Sequence, residues 1–327
     1  MSLYDSSLLD QFLPQYYKRI FPFKPFVKWL CYNRKPEEYF AKREFAFILE
    51  GDVHLRYRSF DNPAEFENEL CKISPHKLDI GAFYSHKPKD NKKYSDFKAV
   101  ERELVFDIDL TDYGSVRKCC SEAKVCEKCW RFISVAVQVL DKLLEEPAYS
   151  ALEHFGFKAR MWVFSGRRGV HCWVGDEKAR KLTNAGRSAV AEYLSLIVIA
   201  SDLGKNFLRW FVLWHTYPRL DVNVSTVIKR TNILEILKTV LGLNHLLKSP
   251  FCIHPKTGNV AVPLDVGKIS QFDVSTCPRV DTLINELSKV LVEEHVKENR
   301  KLLGYKHTSL APYVENFEKF IELAALA

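Results

Sequence analysis

The stretch Glu103-Leu104-Val105-Phe106-Asp107-Ile108-Asp109-Leu110-Thr111-Asp112 is the one around which we predict the fold of this chain. Its bulky apolar residues are interrupted only by two acids, which predicts a buried strand. Because residues i and i+2 of a strand share a face, Asp107 and Asp109 point to the same side. Two adjacent, partly buried carboxylates are costly without cations, so the pair indicates bound Mg²⁺ or Mn²⁺. The alternative is a strand end at which both acids simply face water.

The composition is that of a folded, mildly basic protein. Its 327 residues are 47% hydrophobic, which is sufficient for one large domain or two. The formal net charge is +7 and the pI is about 8.8, which favours polyanionic partners without requiring them. We see neither a signal-peptide pattern nor a membrane span, and therefore expect a soluble, intracellular protein.

Four of the nine cysteines are crowded into residues 119–129. The C-x-x-C half of this window is typical of a turn that directs two sulfurs at one ion. We interpret the window as a structural Zn²⁺ site with four ligands, Cys119, Cys120, Cys126 and Cys129. Four reduced thiols remain the alternative, and the spacing is not typical of an iron–sulfur cluster. The other five are predicted to be buried small apolar residues: Cys31, Cys71, Cys172, Cys252 and Cys277.

A second motif, Ser165-Gly166-Arg167-Arg168-Gly169-Val170-His171, lies between predicted strands at 161–164 and 170–174. Glycines let a backbone approach a ligand closely, and arginines bind phosphate oxygens in pairs. Taken alone, the motif is also common in exposed hairpins. Together, an acidic strand for metals and a cationic turn for phosphates provide what nucleotidyl transfer needs.

The remaining pattern alternates helices and strands, which predicts an α/β (α+β) fold. Hydrophobic spacing predicts helices over 5–20, 62–74, 131–146, 177–199, 281–295 and 314–326. Further strands are predicted over 43–49, 53–60, 78–84 and 218–225. In the last of these, Asp221 is a candidate third carboxylate or a local ion-pair partner of Arg219. Lys248 and His254 extend the phosphate cradle or belong to a solvated basic loop.

In their order along the chain, these stretches resemble the archaeo-eukaryotic DNA primase small (catalytic) subunit family in its eukaryotic form. The resemblance covers nearly the whole chain apart from two gaps. It rests on residues 16–22, 43–45, 77–82, 103–113, the cysteine window through Trp130, 165–174, 218–225, 244–258 and 308–314.

The resemblance implies a DNA-dependent RNA polymerase that makes short RNA primers on single-stranded DNA from ribonucleoside triphosphates. It implies a mixed-sheet α/β catalytic core with a smaller helical subdomain. It places catalytic Mg²⁺ or Mn²⁺ on Asp107, Asp109 and Asp221, and structural zinc on the four cysteines of the window. It places the incoming nucleotide on Ser165, Arg167, Arg168, His171, Lys248 and His254, with Arg56 and Asp79 nearby. The implied partners are a large primase subunit carrying an iron–sulfur cluster and the DNA polymerase alpha complex, in the nucleus and away from membranes.

The chain departs from the family pattern in two places. Residues 197–217 stand where the family has a sizeable helical subdomain, and residues 226–243 form an insert with helical spacing. We therefore divide the chain into residues 1–196 (the first part of the core, with the zinc motif), the truncated segment 197–217, and residues 218–327 (the second part). An alternative splice form or an imperfect gene model explains both changes. A non-catalytic nucleic-acid-binding or scaffolding isoform, and a metal-dependent nuclease, are the alternative functions.

Overall fold

The computed structural model of the chain describes residues 4–114, 117–145, 155–203, 240–293 and 303–327. Within these ranges, helices and strands share one hydrophobic core that includes residues from Leu9 to Ala324, which confirms the mixed α and β class. The helices described are α1 (Leu9–Arg19), α2 (Phe23–Cys31), α3 (Pro63–Ile73), α4 (Glu127–Glu145), α5 (Glu177–Arg180), α6 (Asn184–Leu203), α7 (Val280–Glu293) and α8 (Ala311–Leu326). Among them, none is both long and apolar enough to cross a membrane.

The first sheet contains β1 (Arg43–Ile48), β2 (His54–Arg58), β3 (Lys77–Tyr84), β4 (Ala99–Glu101) and β8 (Leu247–Lys248). Its order is β2-β1-β3-β4, and the short β8 also pairs with β3. Every described pairing is antiparallel. All six residues of β1 are buried, because this strand lies between two neighbours and beneath the helices. The sheet therefore presents β2 as one of its outer strands.

The second sheet contains β5 (Leu104–Asp109), β6 (Arg160–Phe164), β7 (Gly169–Val174) and β9 (Pro263–Leu264). Its order is β5-β7-β6-β9, again with antiparallel pairings. The acidic stretch is thus an outer strand of this sheet. The basic motif is the turn that joins β6 to β7, its neighbours.

Buried charges fix the start of β5. Arg43 of β1 donates to Glu103 at 2.5 Å, and both side chains are fully buried. Arg187 of α6 donates to the carbonyl oxygens of Arg102 at 2.6 Å and Glu103 at 2.9 Å. Because breaking a buried pair leaves an uncompensated charge, these contacts hold β5 in one register against the first sheet and α6.

Most predicted elements are confirmed within a few residues. The prediction missed α2, where Pro25 lies in the first turn and does not prevent a helix. The single helix predicted over 177–199 is wrong, since residues 181–183 separate α5 from α6. The helix α6 then continues to Leu203, so the predicted boundary after residue 196 falls inside a helix.

The insert predicted over 226–243 is described only from Val240 onward. Residues 240–243 are not helical, which corrects the end of the predicted helix. Instead, Val240 forms an antiparallel bridge with Phe106, and Leu241 N donates to Val105 O at 3.0 Å. The end of the insert therefore covers part of the outer edge of β5. The strand predicted over 218–225, with Asp221, lies outside the described residues, as do residues 204–217 and 226–239.

Candidate active site and metal-binding loop

The two acids of β5 lie beside the basic turn because of the strand pairing. Asp107 is opposite His171 and Asp109 is opposite Gly169. Gly169 permits this approach, since an added Cβ would lie 2.5 Å from the carbonyl oxygen of Ile108. The second sheet alone therefore brings two of the predicted metal ligands, Asp107 and Asp109, together with part of the predicted phosphate site.

Asp109 is held by several donors. Arg168 Nε lies 2.8 and 2.9 Å from its two carboxylate oxygens. The backbone N–H and the hydroxyl of Thr111 both donate to Oδ1 at 2.8 Å. Burial acts to raise the pKa of Asp109, but the hydrogen bonds from Thr111 and Arg168 outweigh it and lower that pKa. Asp109 is therefore an anion with a cation already beside it.

Asp107 has the opposite character. Burial, together with repulsion from Asp109 and Asp112, raises the pKa of its carboxyl to about 6. His171 Nε2 lies 3.5 Å from Asp107 Oδ1, but burial lowers the pKa of His171 to about 3, so this imidazole is neutral at pH 7. Burial and the repulsion of Asp109 and Asp112 thus disfavour the charged form of Asp107, and a divalent cation bound here would favour it.

Lys248 connects the two sheets at the site. On β8 it is the strand partner of Asp79 on β3, and its ammonium donates to the carbonyl oxygen of Ser165 in the basic turn. Burial lowers the pKa of Lys248 and raises that of Asp79, while Lys248 opposes the shift of Asp79. Oδ1 of Asp79 is buried and has no hydrogen-bond partner among the described residues. A ligand with a hydroxyl donor would satisfy this acceptor.

Arg167 and His254 line a neighbouring cavity of about 350 Å³. Its wall also contains Lys77, Lys256 and Asp52, and Asp52 pairs with Lys77 at 3.1 Å. Burial lowers the pKa of His254 to about 3, so the net positive charge comes from Arg167 and the lysines. Gly166, at φ +87°, makes the turn that allows His254 to pack close, because a Cβ there would lie 2.8 Å from His254 Cβ. The cavity is positively charged and lies against the basic turn, as a triphosphate site requires.

Arg56 depends on a residue whose role the sequence reasoning missed. Glu44 of β1 is fully buried, and its Oε1 accepts from Nε and Nη2 of Arg56 at 3.2 Å each. Its Oε2 accepts from the hydroxyl of Tyr84 at 3.0 Å. The signal in the sequence was an acid within an otherwise apolar strand, facing an arginine across a predicted hairpin. Lys77 and Lys256 were also missed, since neither stands out among the many basic residues.

The cysteine window forms a compact cluster after β5. The Sγ atoms of Cys119, Cys120, Cys126 and Cys129 all lie within 4.8 Å of one another, so they can hold a metal ion. The Sγ atoms of Cys126 and Cys129 are 3.8 Å apart. Tetrahedral ligands at about 2.3 Å from zinc are themselves about 3.8 Å apart, so the cluster fits this ion. Of the five cysteines predicted to be buried, four are, whereas Cys71 is partly exposed.

The structure thus places nearly every predicted site residue on a few elements. Asp107, Asp109 and His171 lie on β5 and β7, and the basic turn follows β6. Asp79, Lys248 and Arg56 approach from the first sheet, and Lys248 links the two groups. Asp221 lies outside the described residues.

Comparisons with known proteins agree with this arrangement. Residues 106–266 match the family model described as DNA primase small subunit. The DNA primase small subunit of Caenorhabditis elegans is 44% identical over 97% of this chain and 98% of the relative. The small subunit of Drosophila melanogaster is 33% identical over 97% of this chain and 92% of the relative. That of Saccharomyces cerevisiae is 30% identical over 94% of this chain and 90% of the relative. The alignment with the nematode protein has 425 positions, more than the 327 residues of this chain, so part of the relative lies opposite gaps here. By its motifs and its similarity to these relatives, the chain belongs to the DNA primase small subunit family.

Proposed function

We propose that this chain synthesises short RNA primers on single-stranded DNA by nucleotidyl transfer at Asp107 and Asp109, with Asp221 as the third carboxylate. The observation that carries the proposal is the antiparallel pairing of β5 with β7. It sets two carboxylates on one face beside the arginines of the basic turn. Membership of the primase small subunit family supports the same reaction.

The acids fit divalent cations of the Mg²⁺ or Mn²⁺ kind. Their oxygen ligands suit hard cations, and the pKa of Asp107 is raised by burial and by repulsion from Asp109 and Asp112, both of which a bound cation would offset. When bound, two such ions would activate the attacking hydroxyl and stabilise the pyrophosphate leaving group.

The side chains of the chain itself then bind and orient the nucleotide. Arg167 and His254 line the cavity in which the phosphates would bind, and Lys248 donates to the carbonyl oxygen of Ser165 in the basic turn beside it. Arg168 neutralises Asp109 in this structure, and its remaining N–H donors are available to phosphate. His171, being neutral, can donate one hydrogen bond without adding charge. Asp79, with its buried acceptor, is suited to a ribose hydroxyl, and Arg56 is held near it by Glu44.

The four cysteines would hold zinc as a structural ion. All four ligand positions are filled by sulfur, so the site leaves no position open for chemistry. The cluster joins the loop after β5 to the start of α4, and Trp130 in α4 donates to the carbonyl oxygen of Ile269 at 3.0 Å. The ion would therefore fix the segment that follows the catalytic strand.

We further assign the chain to a complex with other primase components. The family resemblance points to the large subunit with its iron–sulfur cluster, to the DNA polymerase alpha complex, and to the nucleus. We also propose that residues 197–217 stand in place of a larger helical subdomain of the family, with the first of them, up to Leu203, continuing α6.

The test is ribonucleotide incorporation on single-stranded DNA with Mg²⁺ or Mn²⁺. The wild-type chain should make primers, and the Asp107→Ala/Asp109→Ala double variant should make none while retaining its fold and its bound zinc. Primer synthesis by the double variant would refute the assignment. Template binding without synthesis by the wild-type chain would favour the scaffolding alternative, and release of mononucleotides from labelled single strands would favour a nuclease.

A further inference from the structure

A second, larger cleft lies on the outer side of β2, and of the residues assigned to the nucleotide only Arg56 lines it. Its volume is about 720 Å³, within the range of roughly 300–1,000 Å³ that is typical of ligand pockets. It is bounded by β2, by the start of α3 and by the turn over residues 88–93. Five basic residues line it: Arg56, Arg58, Lys89, Lys92 and Lys93.

The acids along the cleft are already engaged. Glu69 accepts from Arg58 at 2.5 Å, and Asp90 is paired with Lys93 at 2.6 Å. Glu65 accepts from the backbone N–H of Asp61 at 2.6 Å. Each lysine has three N–H donors and each arginine has five, so one pairing leaves most donors available. Lys92 forms no salt bridge with any residue that the structure describes. The cleft therefore retains a net positive charge that is open to an anionic ligand.

An aromatic ring is exposed among these cations. Tyr57 is 37% exposed, and Arg56 lies 5.0 Å from its ring centre. The ring is braced edge-on by Tyr84 and Phe97, with centre distances of 6.5 and 6.2 Å. The backbone of Tyr57 has φ 56°, and the pairing of β1 with β2 is irregular at this point. Cations that follow a groove beside a supported aromatic ring are the usual surface for a single-stranded nucleic acid.

The cleft is continuous with the active site through the first sheet. Asp79 on β3 is opposite Ala46 on β1, and the irregular segment of β2 with Arg56 lies on the other side of Ala46. Two strand spacings separate β3 from β2, which is about 10 Å. With phosphates about 3.4 Å apart along one strand, this is about three nucleotides of a stacked strand. A polynucleotide that leaves the active site across this sheet reaches the cleft within a few residues.

We propose that the β2 cleft holds the single-stranded DNA template by its phosphates, with one base stacked on Tyr57. The proposal rests on the proposed function, because the template is the strand that a primase must hold before any product exists. It assigns to template binding residues that lie apart from the nucleotide site: Tyr57, Arg58, Lys89, Lys92 and Lys93.

The test is binding of a fluorescent single-stranded DNA oligomer to the full chain, without nucleotides, at several salt concentrations. Each phosphate contact to a single strand contributes about 0.7 to the slope of log affinity against log salt. The Lys92→Ala/Lys93→Ala variant should therefore lower the magnitude of this slope by about 1.4. The control, Lys289→Ala/Lys319→Ala, removes the same charge from exposed positions on α7 and α8 and should leave the slope unchanged. A slope for the cleft variant equal to that of the control overturns the proposal.

A second variant isolates the stacking contact. Tyr57→Leu keeps an apolar side chain at the same backbone conformation, so it should fold, lose about fivefold or more in DNA affinity, and keep the salt slope. Unchanged affinity overturns the stacking assignment. Binding of a single-stranded RNA oligomer of the same sequence distinguishes template from product. If the cleft variants weakened binding of the RNA but not of the DNA, the cleft would hold the primer and the proposal would be overturned. Failure of the wild-type chain to make primers would refute the proposed function, whereas these binding results stand independently of synthesis.

Discussion

Replacing Gly169 with alanine should separate β5 from β7 and thereby disrupt the active site. The added Cβ would lie 2.5 Å from the carbonyl oxygen of Ile108 and 3.3 Å from Cα of Asp109. Both neighbours are backbone atoms, which cannot rotate away as the end of a side chain can. Because an ordinary contact needs about 3.4 Å, the strands must part by about 0.9 Å at the carbonyl oxygen of Ile108, next to Asp109.

The expected size of the effect follows from this displacement. A misplacement of about 1 Å between catalytic groups can lower a rate by about 100-fold. Overpacking of a closely packed site costs about 1–3 kcal/mol of the free energy of unfolding. We therefore expect Gly169→Ala to lose about 100-fold in the rate of primer synthesis at saturating nucleotide, with a moderate loss of stability in urea.

The control is Gly186→Ala in the first turn of α6. There the nearest atom to the added Cβ is Cδ2 of Leu182 at 3.2 Å, the end of a flexible side chain. Alanine favours helix by up to about 1 kcal/mol over glycine, so this variant should be as stable as wild type or more so, and fully active. A Gly169→Ala protein with the synthesis rate and urea midpoint of wild type would refute the reasoning about the β5–β7 contact.

Two further predictions concern the metals. Folding raises the pKa of Asp107 from 3.8 to about 6, so the folded chain binds this proton more tightly than the unfolded chain does. The free energy of unfolding that the protonated carboxyl contributes is therefore lost as the pH rises from about 4 to above 6. Metal-free Asp107→Asn should therefore melt at a higher temperature than wild type at pH 8, with a difference that shrinks towards pH 4; an equal or lower melting temperature at pH 8 contradicts the prediction. Cys129→Ala should reduce bound zinc from one equivalent per chain to below one in elemental analysis, whereas Cys71→Ala should retain it, and equal zinc in both would rule out the cysteine cluster as the site.

The sequence predicted the placement of Asp107, Asp109 and the basic turn because the pattern there is local. Alternation along residues 104–110 placed Asp107 and Asp109 on one face, and the glycines around Arg167 and Arg168 marked the turn. The C-x-x-C spacing similarly predicted the cluster of four sulfurs. In each case, a few consecutive residues determine both the backbone shape and the ligand chemistry.

Long-range relationships were not predictable in this way. The sequence marks Glu44 only as an acid in a mostly apolar strand, and its contact with Arg56 depends on the register of β1 with β2. Helical spacing predicted a helix to the end of the insert, but pairing of Val240 with Phe106 satisfies backbone groups at the edge of β5 and prevails there. The β2 cleft likewise requires β2, α3 and the turn over 88–93 to meet, and only the folded chain shows this.

The central claim is that Asp107 and Asp109 hold the divalent cations used in nucleotidyl transfer. The most direct measurement is the number of Mn²⁺ ions bound per chain in the presence of a non-hydrolysable ribonucleoside triphosphate, counted by electron paramagnetic resonance. We predict that the wild-type chain binds Mn²⁺ with the nucleotide and that Asp107→Asn/Asp109→Asn loses this binding while the cysteine cluster keeps its zinc. Equal Mn²⁺ binding by the two proteins would contradict the claim.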